Sequence, residues 1–304
     1  MASGQFIHIV TEAARAESYF RQSPPPLAPS SKDRIGVCSW SLHPETPQEL
    51  MYGLKAVGLR RVQLNLNPLR AEPAVWGNTA EIARLNDIEI VSGMYGALGE
   101  DYSTLVSIRR TGGIVPDTTW EQNWRDIQAT IGIARGLGLP LVTLHAGFLP
   151  DQPGDPAMAK LVARIGQIAD AFAAAKMKVA FETGQETAAT LRAFLERMNR
   201  PNLGVNFDPA NMILYGKGDP VAALRELAPW VFQVHIKDAV RTTVPGSWGR
   251  EVAVGTGDVD WRSFFRALQA ARLDVDLIIE REGGSDRVRE IIQARELIEA
   301  GVNA

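Results

Sequence analysis

The strongest constraint in this chain is an alternation. From Arg34 onward, a short β-rich apolar run, a turn and a longer segment with helical spacing recur eight times. The runs are "IGVCSWS" from residue 35, "RRVQLNL" from 60, "IEIVSG" from 88, "PLVTLHA" from 140, "MKVAFET" from 177, "LGVNFD" from 203, "VFQVHIK" from 231 and "VDLIIE" from 275. Between them lie helical candidates such as "TPQELMYGLKAVG", "NWRDIQATIGIARGLG" and "DWRSFFRALQAAR", and "SDRVREIIQARELIEA" follows the last run. Such alternation implies βαβ units, because two parallel strands can be joined only by a crossover long enough to carry the chain back to the same edge. Eight units over roughly 270 residues is the size of a (β/α)8 TIM barrel. The expected fold class is therefore α/β, a single barrel over residues 34–304. A doubly wound sheet is the competitor, but it would carry a Gly-x-Gly-x-x-Gly turn after an early strand, and none follows the first run.

Residues 1–33 read as an N-terminal helical extension. Helix-forming residues 11–22 are followed by the Pro/Ser linker "SPPPLAPSSKD" at 23–33. With 45% apolar and 22% charged residues, the chain can bury a large core and reads as a soluble protein. A net charge of −3 offers no global attraction to nucleic acid or to an anionic membrane, so neither is expected as a partner. The single cysteine, Cys38, excludes an intramolecular disulfide. Neither a signal peptide nor an apolar run of membrane-spanning length is evident, which places the protein in the cytoplasm.

Two long connections, 94–120 and 238–260, are rich in Gly, Thr, Pro and Trp. In a barrel both leave C-terminal strand ends, the face where lids and substrate-binding loops reside. The ends of the fifth to eighth strands present Glu182, Asp208, His235 and Glu280 at one height. A lone strand-end Asp can cap the next helix, and a lone His can fill a core. Four in succession resist that reading, because unpaired buried carboxylates are unfavourable by several kcal/mol each (order of magnitude) unless charge neutralises them. One imidazole and three carboxylates suit a single hard divalent cation. Mn²⁺ is the first choice, with Co²⁺, Mg²⁺ and Zn²⁺ as alternatives. Glu282, two residues after Glu280, is the reserve fourth ligand.

The motifs "VTLHAGF", "FETGQE", "VNFDPANMILYG", "VHIKDA" and "IIERE", in this order and spacing, resemble the xylose isomerase-like barrel superfamily over roughly residues 34–300. That superfamily comprises sugar (phosphate) isomerases and epimerases and their relative endonuclease IV. The resemblance implies that a metal holds a substrate carbonyl and the neighbouring hydroxyl. Glu182 and Glu280 would then act as base and acid on opposite faces, by way of a cis-enediolate. It also implies a substrate contact for Arg241 and a homo-oligomer. Asn211 stands where the epimerases often carry a histidine, and Ala188 where they carry a second glutamate, with Glu186 the nearest carboxylate, and Asn211 and Glu186 are both taken as substrate-binding candidates. Dehydration or elimination from a keto-sugar or glycoside is therefore the runner-up chemistry.

Further candidates for a sugar site are Trp40, Trp120 and Trp248 as stacking surfaces, weighed against simple packing. His145 is read either as a substrate hydrogen-bonder or as a structural residue, and Lys237 as orienting a substrate oxygen or pairing with a carboxylate. "TGGIVPD" at 111–117, with Arg109 and Arg110 before it, is read as a pocket closure, a phosphate holder or a solvated loop. An endonuclease IV-like hydrolase would need more histidines than His8, His43, His145 and His235. A non-catalytic sugar-binding barrel is the remaining rival.

Overall fold

A computed structural model of the protein describes residues 33–150 and 154–303. The expected N-terminal helix lies outside the described residues, as does nearly all of the linker after it. The eight apolar runs all form strands, in the order β1 (Ile35–Cys38), β2 (Arg61–Asn65), β3 (Glu89–Tyr95), β4 (Leu141–Leu144), β5 (Lys178–Glu182), β6 (Leu203–Phe207) and β7 (Val231–Ile236), with the last run forming β10 (Asp276–Ile279). They close in the order β1-β10-β7-β6-β5-β4-β3-β2. The closing pair β1/β10 is parallel, with Ile35 opposite Leu277 and Val37 opposite Ile279. This is a (β/α)8 barrel.

The helices form where the chain supplies both an apolar stripe and a cap. The helix Pro47–Val57 begins on Thr46, whose side chain accepts from the Glu49 N–H, and ends at Gly58 in the left-handed region. Its Leu50, Leu54 and Val57 are fully or almost fully buried against the barrel. Each contributes roughly 1.5–3 kcal/mol of apolar transfer. The helix Ala188–Met198 repeats the plan, with Thr187 as its N-cap and Asn199 closing it at φ 45°.

Inside the barrel the pattern changes. Gln63, Ser92, Thr143, Asn206 and Gln233 are all buried at 0–1% exposure, and they hydrogen-bond to one another. Strand periodicity puts Gln233 on the same face as His235, Asn206 on the same face as Asp208, and Ile278 on the same face as Glu280. The inward layer beneath the strand ends is therefore polar and paired.

The two long connections are more structured than expected. The 94–120 segment holds a short helix, Leu105–Thr111, and the first turn of the helix Asp117–Gly136. "TGGIVPD" is docked rather than free. The Gly113 N–H donates to Glu100, and the Arg164 guanidinium donates to the carbonyls of Ile114 and Val115. Gly113, at φ 64°, lies so close to the Ala146–Gly147 backbone that a Cβ there would stand 2.2 Å from the Gly147 nitrogen. The 238–260 segment folds into an antiparallel hairpin, β8 (Asp238–Val240) with β9 (Arg250–Val252).

Asp238 anchors that hairpin. Its buried carboxylate accepts from the backbone N–H groups of Ala239, Gly255, Gly257 and Val259 and from the Trp261 indole. Removing the carboxylate strands all of these donors. Asp238→Ala should therefore lose about 3 kcal/mol or more of stability, read from the urea midpoint at unchanged slope. A loss under about 1 kcal/mol would mean that other contacts hold the hairpin.

Candidate metal centre and cavity

Glu182 ends β5, Asp208 follows β6, His235 lies in β7 and Glu280 follows β10, and all four are buried. One ligand atom from each lies within 4.8 Å of those of the other three. His235 Nδ1 stands 3.3 Å from Glu280 Oε2, 3.6 Å from Glu182 Oε1 and 3.8 Å from Asp208 Oδ2.

The hydrogen bonds around the cluster determine which atoms are free. Asp208 does cap the next helix, but only with Oδ1, which accepts from the Asn211 N–H at 2.9 Å. On the other side of His235, Nε2 lies 2.7 Å from the amide oxygen of Gln63. An amide oxygen cannot donate, so the Gln63 contact requires the proton on Nε2, which in the neutral ring leaves the Nδ1 lone pair facing the carboxylates; Asn206 Nδ2 also lies 3.0 Å from Nε2. Gln63 is itself fixed by donating to Thr143 Oγ1 at 2.7 Å. Both Asp208 Oδ2 and His235 Nδ1 are buried without a hydrogen-bond partner. Two orphaned acceptors converging with two more carboxylates fit a divalent cation that takes nitrogen and oxygen ligands.

The remaining carboxylate oxygens are held in place. Asn211 donates to Glu182 Oε1 at 2.8 Å. Glu280 Oε1 accepts the Trp40 indole N–H at 2.8 Å, and its Oε2 accepts from Lys237 Nζ at 2.9 Å. Lys237 also pairs with Glu282 at 2.6 Å, and the side chain of Glu282 is 55% exposed. Glu282 thus stands at the rim, and the four converging groups do not include it.

Electrostatics follow from this crowding. Burial disfavours both ionised forms, yet Lys237 and His235 hold the Glu280 carboxyl down at about 2, and Glu282, Asp208 and Glu280 itself keep Lys237 well above its ordinary value. Cys38 Sγ is 3.7 Å from His235 Nε2, on the side of the ring away from Nδ1, and burial pushes its thiol far up. Cys38, His235 and Glu280 also come together, but the set with Glu182 and Asp208 offers four ligand atoms of the hard nitrogen and oxygen kind.

Above the cluster opens a cavity of about 490 Å³, within the usual size range of small-molecule sites. Trp40, His145, Asn211, Lys237 and Trp248 line it together with Glu182 and Glu280. His145 Nε2 is 3.6 Å from Glu182, and its Nδ1 is 2.8 Å from the hydroxyl of Tyr102. Trp40 serves as a hydrogen-bond donor to Glu280 as well as a wall.

Three of the expected substrate contacts are not brought there. Trp120 lies in the helix Asp117–Gly136, stacked on Trp124 at 6.0 Å with the Arg164 guanidinium 4.7 Å from its ring centroid. The helix starts earlier than the spacing implied, which carries Trp120 to the outer layer. Arg241 is exposed beyond β8, where its backbone N–H donates to Asp258, and its side chain does not line the cavity. Glu186 is buried outside the cavity wall, and burial pushes its carboxyl up to about 8 against the pull of Lys217 and His145. Its neighbour Gln185 faces the cavity instead. Gly184 makes the turn at φ 133°, where a Cβ would meet that of Asn211 at 2.4 Å. Arg109 and Arg110 also stay outside, Arg109 lying 5.7 Å from the Phe148 ring centroid.

The reading from sequence missed Gln63, Glu100, Tyr102 and Gln185. Gln63 carried a usable signal, a lone amide on the inward register of an apolar strand. The other three sit on irregular backbone with no periodicity to orient them.

Comparison with known proteins places these features in a family. The family described as "Xylose isomerase-like TIM barrel" matches residues 50–301. The crystal structure of a xylose isomerase domain protein from Planctomyces limnophilus is 32% identical with a TM-score of 0.74, over 83% of this chain and 89% of that one. A ketose 3-epimerase of Arthrobacter globiformis is 28% identical over 130 residues, 40% of this chain and 41% of that protein. The uncharacterized protein YihM of Escherichia coli (strain K12) is 34% identical over 79 residues, 26% of this chain and 24% of that protein. The chain thus matches well under two thirds of the length of these two relatives. The closed barrel and the match over residues 50–301 together show that this chain belongs to the xylose isomerase-like TIM barrel family.

Proposed function

We propose that this chain is a divalent-metal-dependent sugar isomerase or epimerase that removes a proton from the carbon beside a carbonyl and returns it. The observation that carries this reading is the convergence of Glu182, Asp208, His235 and Glu280, with two of their buried acceptors unpartnered, beside a cavity that Glu182 and Glu280 line. The ketose 3-epimerase relative supports the choice of sugar chemistry.

A bound divalent cation, with Mn²⁺ the first choice, would supply the positive charge that acidifies the C–H next to the carbonyl. The protein's own groups do the rest. Glu182 and Glu280 belong to strands separated in the barrel by β6 and β7, so they approach a bound molecule from two sides. Glu182, aimed by Asn211, would take the proton on one face, and Glu280, aimed by Trp40 and Lys237, would serve the other. Lys237 adds positive charge beside the oxygen where negative charge develops.

No helix among the described residues is long and apolar enough to cross a membrane. Within this proposal the partner is a small-molecule sugar, and a homo-oligomer in the cytoplasm remains the expectation.

Incubating the Mn²⁺-loaded protein with ketoses and keto-sugars in D₂O, and following C–H exchange by NMR, tests the chemistry. Exchange at one carbon with recovery of an epimer or isomer is the expected result, whereas loss of water with formation of an alkene would move the assignment to a dehydratase. Glu182→Gln and Glu280→Gln should each lower exchange by roughly 10²–10⁴-fold. Full exchange in both variants would remove these residues from the reaction.

The role of Gln63 can be tested without turnover. Gln63→Leu should weaken Mn²⁺ binding by roughly 10–100-fold, followed by the EPR signal of the free ion, because the imidazole loses the partner that sets its tautomer. Unchanged affinity would mean that His235 is not held through Nε2.

A further inference from the structure

The cavity extends beyond the four converging groups, and its upper walls carry polar atoms left without a full hydrogen-bond partner among the described residues, although the Gln185 side chain also acts on the Tyr215 hydroxyl. Gln185 Nε2 and Trp248 Nε1 are buried donors without a hydrogen-bond partner, and Asn67 Oδ1 is a buried acceptor without one. All three residues line this cavity. The other unpartnered buried atoms are of a different kind, apart from those of Asp208 and His235. They are nitrogens of Arg61, Arg70, Arg281 and Arg295, whose guanidinium groups are paired through ion pairs, or side chains on the helix Asp117–Gly136. A buried polar atom without a protein partner is completed by water or by a ligand, and these three face a cavity wide enough to admit either.

Their placement is specific. Gln185 follows β5, and Trp248 lies in the β8/β9 hairpin with its ring 4.8 Å from that of Tyr215, just after the helix Pro209–Leu214 that follows β6. Asn67 follows β2, on the opposite side of the barrel ring from β6, and is held by its own Nδ2 donating to the Gly96 carbonyl at 2.9 Å. Two donors thus stand on one side of the cavity and an acceptor on the other. The ring of Trp248 adds a flat apolar surface of the kind that packs on the C–H face of a sugar.

The charges decide what the occupant is not. The cavity is lined by Glu100, Glu182, Glu280 and Glu282 against Lys237 and His145, and no arginine among the described residues reaches it. Lys237 is committed to Glu280 and Glu282 at 2.9 and 2.6 Å. A phosphate at the far end of a substrate would meet carboxylates and no unengaged cation.

We propose that Gln185, Trp248 and Asn67 form a distal subsite that binds the hydroxyls of an uncharged sugar ring beyond the four-residue cluster, so that the substrate is a neutral, unphosphorylated sugar. The proposal rests on the reading of the cluster as the reacting end, and it names groups that select what is attached there. Gln185 and Trp248 give hydrogen bonds to ring or hydroxyl oxygens, and Asn67 accepts one from a hydroxyl.

The test uses probes with no carbonyl. The full chain is titrated calorimetrically with the methyl glycosides of glucose, galactose and mannose. At least one should bind saturably, and Trp248→Phe and Gln185→Leu should each weaken that binding about fivefold to tenfold, as expected for one hydrogen bond. Trp120→Phe, outside the cavity, should leave it unchanged. A deoxy analogue lacking the hydroxyl bound by Trp248 should bind the parent and Trp248→Phe alike, a pattern that general loss of packing would not give. The 6-phosphate of the sugar bound best should bind at least tenfold more weakly. Absence of saturable binding by all three glycosides, equal binding by the variants, or tighter binding of the 6-phosphate would each overturn the subsite. Loss of C–H exchange in D₂O with glycoside binding intact would instead overturn the reading of the reacting end.

Discussion

Everything at the mouth of this barrel depends on placing three carboxylates and an imidazole within 4.8 Å of one another, away from water. Like charges so close, in a medium that screens poorly, repel strongly unless something positive stands among them. The protein supplies part of that charge itself. Lys237 reaches Glu280 and Glu282. What it leaves open is equally particular: one oxygen of Asp208 and one nitrogen of His235.

The polar belt below converts that crowding into geometry. Gln63 accepts a hydrogen bond from Nε2 of His235, Asn211 holds one oxygen of Glu182, and Trp40 holds one oxygen of Glu280. Each holding residue comes from a different part of the barrel, so the orientation of each reacting side chain is set by a neighbour distant in sequence. Buried amides that are fully paired act as rigid supports, and this belt fills the interior that an all-apolar barrel would fill with methyl groups. The β8/β9 hairpin, tied down by the five hydrogen bonds to Asp238, extends the same principle to the rim, where it presents Trp248.

Much of this was legible before any coordinates. All eight apolar runs became the barrel strands, because strands buried on both faces read as near-continuous apolar runs bounded by turns, interrupted here only by the paired inward polar residues. The convergence of Glu182, Asp208, His235 and Glu280 followed from the same reasoning, since parallel strands in a closed barrel bring their C-terminal ends together. Trp120 and Glu186 were misplaced for a shared reason. Neither lies in a strand, and a shift in where a helix or turn begins rotates a side chain away from the site. Arg241 failed in the same way, displaced by a hairpin that an irregular-looking loop conceals.

The sequence by itself determined the architecture and the identity of the converging groups. Both are carried by periodicity, which is local and survives without knowledge of the partners. Only the tertiary structure decided which atoms of those groups are free, which neighbours aim them, and that no arginine among the described residues enters the cavity. These depend on hydrogen bonds between residues far apart in the chain, such as that from His235 to Gln63. No spacing rule encodes a contact whose two ends are brought together only when the barrel closes.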